Sequence, residues 1–219
     1  MYRREFNGRV LSFGHAGILY QRSFVMYDRE SESLWVHVTG RAEWGPMKGS
    51  QLTFMPSTVT TWAAWKSAYP HSLVLPGYRR GGFMGNYRGI RGSHDIGLSV
   101  VVRFKGKLYP FRELERTPLV NDRFNGEDLV VFYSAERGTA TAWNRRLDGR
   151  TLRFRRSDKR NARGHWLLQD EQTGSLWSWL TGEAESGELK GRKLDPLLYN
   201  PILNNRFRAF YSDGVVYRG

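Results

Sequence analysis

The sequence repeats itself. Asp28-Arg-Glu-Ser-Glu-Ser-Leu-Trp35 returns as Asp170-Glu-Gln-Thr-Gly-Ser-Leu-Trp177 at an offset of 142. The match runs on from Thr39-Gly40, Ala42-Glu43, Gly45, Lys48-Gly49 and Leu52 to Thr181-Gly182, Ala184-Glu185, Gly187, Lys190-Gly191 and Leu194. Between Asp28 and Leu52, 12 of 25 positions are identical. Upstream, at an offset of 141, Asn7-Gly8-Arg9, Leu11 and Phe13 meet Asp148-Gly149-Arg150, Leu152 and Phe154. One residue of slippage in a loop accounts for the change. Two copies of a unit share one fold, so each local reading has an internal check.

Asn7-Gly8 and Asp148-Gly149 are both preferred pairs for a two-residue hairpin turn, and apolar residues follow at alternate positions. Each copy therefore begins with a hairpin. Ile18–Tyr27 and His165–Gln169 read as strands leading into a polar turn opened by Asp28 or Asp170, and Leu34–Val38 and Leu176–Leu180 pair back. Trp62, Trp65 and Tyr69, behind a capping Ser or Thr and before Pro70, predict a short amphipathic helix. Its counterpart, Asn204–Tyr211, keeps Phe207 and Tyr211. Aromatic residues at this spacing are assigned to packing, and the eight Trp residues mostly to the interior.

Between the copies, Leu98–Phe104 and Leu108–Phe111 read as strands around a Lys105-Gly106 turn, with a helical turn at Arg112–Arg116. Val120–Phe124 and Leu129–Tyr133 form a hairpin at Asn125-Gly126, and Thr139–Arg146 runs into the second copy. This divides the chain into a truncated first repeat (1–76), a Gly/Arg-rich linker (77–97) and a complete second repeat (98–219). The fold expected is mainly β: two related lobes of hairpins with short aromatic helices, in pseudo-two-fold relation, packed across an interface lined by Trp35 and Trp177. The strands that the first repeat lacks leave a sheet edge open to pairing with a second copy of the chain.

No run of apolar residues is long enough for a membrane-spanning helix, and the start leads into no signal-like segment, so the chain as given reads as soluble with its compartment open. The absence of Cys excludes disulfides, thiolate nucleophiles and Cys-ligated metals. The formal charge of +13, from 34 basic and 21 acidic residues, attracts polyanions at long range. Arg79, Arg80 and Arg88 lie in the Gly-rich linker among aromatics. Strand alternation puts Arg153 and Arg155 on one face and Leu152 and Phe154 on the other. These five arginines are the candidate polyanion contacts.

Asp28, Asp170, Glu43 and Glu185 are carboxylates kept in both copies, which is the pattern of a paired acid–base or ligand site. Turn formation explains the two Asp residues equally well, and neighbouring Arg the two Glu. His37 stands beside Trp35 and is matched by Trp179. None of the five histidines forms a metal-binding motif, so no metal or cofactor is expected.

Several strings together resemble one known family. They are Phe13-Gly-His-Ala-Gly17, Met26-Tyr27-Asp28-Arg29, Ser33-Leu34-Trp35, Trp62-Ala-Ala-Trp65, Tyr109-Pro-Phe-Arg-Glu-Leu114, Val120-Asn121-Asp122, Asp148-Gly149-Arg150 and Thr173-Gly174-Ser175-Leu176-Trp177. From about Tyr2 to Arg218 the chain is similar to the bacterial and archaeal family called domain of unknown function 3179. The resemblance implies two repeats, with the N-terminal part of the first missing here. It also implies a Tyr-Cys-Pro-Leu-Cys-like motif that this chain lacks, the equivalent Val131-Phe132-Tyr133-Ser134 having no Cys. His37 replaces a usual Gln and Glu32 a usual Gly. The family supplies no reaction.

Three functional expectations follow. The first is a binding or structural module holding a small or anionic ligand between the repeats, with Asp28, Trp35, His37, Glu43, Asp170, Trp177 and Glu185 as its residues. The second is an enzyme with a His/carboxylate site near Asp28, His37 and Glu43. The third is a sequence-independent nucleic-acid or polyanion binder.

Overall fold

The computed structural model describes residues 1–74 and 95–219. The first copy opens with β1 (Glu5–Phe6) and β2 (Arg9–Val10), a hairpin whose turn residues Asn7 and Gly8 both take positive φ, 49° and 73°. That twist matches the twist of the strands. Next, β3 (Phe13–Tyr20), β4 (Ser23–Asp28), β5 (Leu34–Val36) and β6 (Arg41–Trp44) form an antiparallel sheet in chain order. Residues 18–27 are thus two strands, not the single one expected. The chain reverses at Gln21 and Arg22, which take φ of 50° and 65°, so that Tyr20 pairs with Ser23. No Gly, Asn or Pro marks this turn in the sequence. The helix α1 (Trp62–Ala68) has the expected cap, the Thr61 hydroxyl accepting from the Ala64 N–H.

The second copy begins with β7 (Ile96–Val102), β8 (Lys105–Pro110), α2 (Phe111–Arg116), β9 (Leu119–Phe124), β10 (Glu127–Ser134) and β11 (Thr139–Asn144). β7 starts inside the span read as linker, and Arg79, Arg80 and Arg88 lie outside the described residues. The β7–β8 turn falls at Arg103-Phe104, both left-handed, two residues earlier than Lys105-Gly106. Then come the hairpin β12 (Arg146–Leu147) and β13 (Arg150–Thr151), and a second four-stranded sheet. Its strands are β14 (Phe154–Arg160), β15 (Trp166–Asp170), β16 (Leu176–Ser178) and β17 (Ala184–Ser186). β18 (Leu198–Leu203), a 3-10 turn (Asn204–Arg206), α3 (Phe207–Phe210) and β19 (Val215–Val216) end the chain, β18 pairing with β7 and β19 lying parallel to β8.

The protein is therefore β-rich, and the duplication holds in detail. The four-stranded sheets β3–β6 and β14–β17 have the same order. Both helices end on a tyrosine in the same conformation, Tyr69 at φ −130°, ψ 76° and Tyr211 at φ −132°, ψ 80°. Isolated bridges repeat as well: Tyr2–Phe54 with Trp143–Pro196, and Arg41–Gln51 with Glu183–Lys193. Among the described residues no helix is long and apolar enough to cross a membrane.

β10 is buried on both faces. Leu129, Val131 and Tyr133 pack with Phe111 and Leu114 of α2, while Val130 and Phe132 point the other way onto Trp177 and Trp179. The alternation of a strand thus joins two cores through one element. Trp35 and Trp177 lie in separate cores, Trp35 with Leu11, Ala42 and Leu52, and Trp177 with Leu152, Phe154 and Leu168. The expected interface lined by both is not formed, because each ring fills the inside of its own sheet. Trp35, Trp143, Trp177 and Trp179 are buried, whereas Trp44 and Trp62 are 40% and 49% exposed.

What joins the copies is an exchange of helices. Ala64 and Ala68 of α1 pack into the core of the second copy. In return α3 reaches the first copy, with Val38 packed beside Phe207 and the Phe210 ring meeting Tyr20.

Candidate functional site

Asp28 and Asp170 close identical cages. The Asp28 carboxylate accepts from the Ser31 N–H at 2.6 Å, the Ser31 hydroxyl at 2.8 Å and the Trp35 indole N–H at 2.8 Å. The Asp170 carboxylate accepts from the Thr173 N–H at 2.6 Å, the Thr173 hydroxyl at 2.9 Å and the Trp177 indole at 2.9 Å. Both aspartates are fully buried. Burial alone would raise the Asp28 pKa, but the bonds from Trp35, Ser31 and Ser33 outweigh it and hold the carboxyl below its ordinary value. The cage continues through Ser33 and Ser175, which accept from the Met47 and Leu189 N–H groups. Gly45 and Gly187 allow this close approach: a Cβ on Gly187 would stand 2.6 Å from the Ser175 Cα, and one on Gly45 2.7 Å from that of Ser33. In these cages the carboxylates orient tryptophans.

The other candidates have different surroundings. His37 follows β5 and has the Tyr2 and Phe24 rings on its edges; desolvation, then the Met1 ammonium, lowers its pKa. Glu43 pairs with Arg41 at 3.7 Å. Asp28, His37 and Glu43 thus each serve a separate set of partners. Arg153 and Arg155 are exposed, with Leu152 and Phe154 buried, as alternation predicts. Arg153 pairs with Glu171 at 3.5 Å and Arg155 donates to Gln169.

Of the duplicated carboxylates, Glu185 borders a cavity. This cavity, about 430 Å³, lies where the C-terminal end of α1 meets the second sheet, and its wall includes Tyr69, Asn161, Arg163, His165, Glu183 and Glu185. It is assembled from both copies. The Asn161 Oδ1 accepts from the Arg163 and His165 N–H groups, and its amide donates to Glu185 at 2.9 Å. The Arg163 guanidinium reaches across to the Ala68 carbonyl at 3.3 Å. His165 is 5% exposed, and its Nε2 has no hydrogen-bond partner among the described residues. Burial, then Arg137 and Arg163, lower its pKa against the opposing pull of Glu185 and Glu136. The imidazole is therefore neutral at neutral pH. Burial and then the Glu183 carboxylate raise the Tyr69 hydroxyl, which stays protonated. Among the described residues, no three His, Asp or Glu side chains converge closely enough to hold a metal ion.

The same place in the first copy carries a cavity of about 350 Å³, between α3 and the first sheet, lined by Thr39, Arg41, Gln51, Phe210 and Tyr211 among others. Thr39, Arg41 and Tyr211 match Thr181, Glu183 and Tyr69 across the repeat. Sequence reasoning missed Tyr69, Asn161, His165 and Glu183 as neighbours. One signal was available: beside the retained Glu43 and Glu185, Arg41 becomes Glu183.

Neither the curated proteins nor the solved structures compared with the chain give a match. One family model does, twice, over residues 1–100 and 91–218, so that two repeats cover the chain in agreement with the duplicated sheets. The chain belongs to that family, described as protein of unknown function DUF3179.

Proposed function

We propose that the protein is a small-molecule binding module whose ligand sits where α1 of the first copy meets the sheet of the second. One observation carries this reading: a cavity of about 430 Å³ on the junction, lined by polar side chains from both copies. Ligand sites favour such junctions, where a few convergent polar groups fix orientation. A thermal-shift screen of polar metabolites tests it. A ligand at a hundred times its dissociation constant adds about 2.7 kcal/mol to stability. The intact chain should respond, and Ala162→Trp, which fills the cavity from an exposed position, should not. Equal responses, or none from the intact chain, would overturn the reading.

Polyanion contact is supported by a separate observation. On β14, Arg156 and Arg160 are exposed and stand over the Trp166 ring at 4.5 and 3.9 Å. An aromatic ring flanked by guanidinium groups suits a single-stranded nucleic acid. Fluorescence anisotropy with a labelled oligonucleotide should give binding that falls steeply with salt, and Arg160→Ala should lower the slope by about one. Absence of binding at low ionic strength removes this reading.

A further inference from the structure

The matched sheets β3–β6 and β14–β17 differ in what covers them. β9 and β10 lie against the second. Asn121 clips Phe154 by its N–H and carbonyl, and Val130 and Phe132 pack on the tryptophan face, the Phe132 ring 4.9 Å from that of Trp179. Phe154, Leu168 and Trp179 are buried there. Their matches on the first sheet are Phe13, Met26 and His37, of which the first two are half-buried and the third is exposed. Among the described residues no strand of the first copy corresponds to β9 or β10.

The backbone and the side chains of the edge tell the same story. The Arg29 N–H donates to the Ser12 carbonyl at 2.9 Å, as the Glu171 N–H does to that of Arg153 at 2.8 Å, so the polar groups of the next residue, Phe13 or Phe154, point outward from the sheet. Those of Phe154 meet Asn121, and those of Phe13 meet no partner among the described residues. Outer strands are ordinarily protected by charge. β14 carries Arg155, Arg156, Asp158, Lys159 and Arg160, whereas the eight residues of β3 include no Lys, Arg, Asp or Glu, and its Ile18 and Leu19 are exposed. Both strands break register farther on, after His15 and Arg156, which confines the contact to the stretch around Phe13.

We propose that the first sheet is an acceptor for a β-hairpin of another polypeptide, one with the chemistry of β9–β10. One strand of that hairpin brings apolar side chains at alternate positions to cover Met26 and His37, and its neighbour brings an Asn to satisfy Phe13. The occupant is read from the repeat, because the second copy shows what seats on this same frame. A second molecule of this chain has its own β9 and β10 already committed to the cores of its second copy. The proposal is independent of the cavity described above.

Fluorescence anisotropy tests it with a labelled peptide of residues 117–134, the sequence of the chain's own hairpin. The peptide is titrated with the full chain at high salt, which screens the attraction of the +13 charge. Saturable binding is expected, about tenfold weaker for the peptide carrying Asn121→Ala and absent for a scrambled peptide of the same composition. On the chain, His37→Trp, which restores the ring that Phe132 meets in the second copy, should tighten binding, and His37→Asp should abolish it. The proposal is overturned if neither the intact chain nor His37→Trp binds, if the scrambled peptide binds equally, or if both His37 variants leave binding unchanged. Sedimentation of the chain alone supplies the remaining arm. A dimer that Ile18→Lys dissociates gives the edge to a second molecule of the chain and overturns the proposal as well.

Discussion

The two sheets preserve one polar device and diverge at another. Asp28 with Trp35 and Asp170 with Trp177 keep the same three bonds to within a few tenths of an ångström. A few residues away, Arg41 and Glu183 occupy the same position with opposite charge, and Ser23 is exchanged for His165. The difference follows from what each group is bonded to. A buried carboxylate that satisfies a turn and an indole is costly to replace, because its loss strands several donors at once. A residue on a cavity rim meets solvent, so its charge is free to change. Retention in both copies therefore marks the cage, whereas the candidate cavity mixes the retained Glu185 and Tyr69 with the divergent Glu183 and His165.

The largest effect expected is at the tryptophans. Trp177→Ala should cost about 3–5 kcal/mol in denaturant unfolding, since its ring sits in the larger core that also holds α1. Trp35→Ala, in the smaller core, should fall at the lower end of that range. A larger loss at Trp35 would reverse the ranking of the two lobes. Next comes the cage carboxylate: Asp28→Asn and Asp170→Asn should each cost about 1–3 kcal/mol. The pKa of Asp28 is lower folded than unfolded, so its stabilisation is complete above the unfolded value and is lost as pH falls below about 4 toward the folded one. Acid titration of stability should therefore flatten in Asp28→Asn, and an unchanged acid limb would remove the carboxylate from that role.

A smaller effect is specific to one copy. Asn121 on β9 clips the start of β14, accepting from the Phe154 N–H at 2.8 Å and donating to its carbonyl at 2.7 Å. No such clip is found on Phe13 among the described residues; β3 is the outer strand of its sheet, with Ile18 and Leu19 exposed. Asn121→Ala should cost about 1–2 kcal/mol and speed amide exchange at Phe154 toward the rate at Phe13. Exchange unaltered at Phe154 would show the clip to be idle. Smallest of all, Arg41→Ala breaks a half-exposed pair and should change stability by less than about 0.5 kcal/mol. A larger loss would mean that Arg41 supports the first cavity as well as neutralising it.

The β-rich fold was legible where local chemistry decided it. Asn7-Gly8, Asn125-Gly126 and Asp148-Gly149 announce their hairpins because a left-handed pair of residues is cheap there. The turns at Gln21-Arg22 and Arg103-Phe104 were hidden, since strand pairing on either side imposes positive φ on residues that do not favour it. Asp28 as the opener of a turn was readable, whereas its bond to the indole seven residues on was not. The cavity was illegible for another reason. Arg163 and Ala68 are 95 positions apart, and only the exchange of helices brings them together.

That exchange ties the histories of the two halves to each other. The helix α1 is a guest in its sibling's interior, so a change of size at Ala64 has to be answered around Val130 or Leu168, whereas α3, its Phe207 held by Leu108 and Ile202 of its own copy, meets the first copy through Val38 and Tyr20 at the edge. After the original duplication the repeats were thus free to drift apart at their rims, while the second stayed fitted, like host to lodger, to the dimensions of the first one's helix.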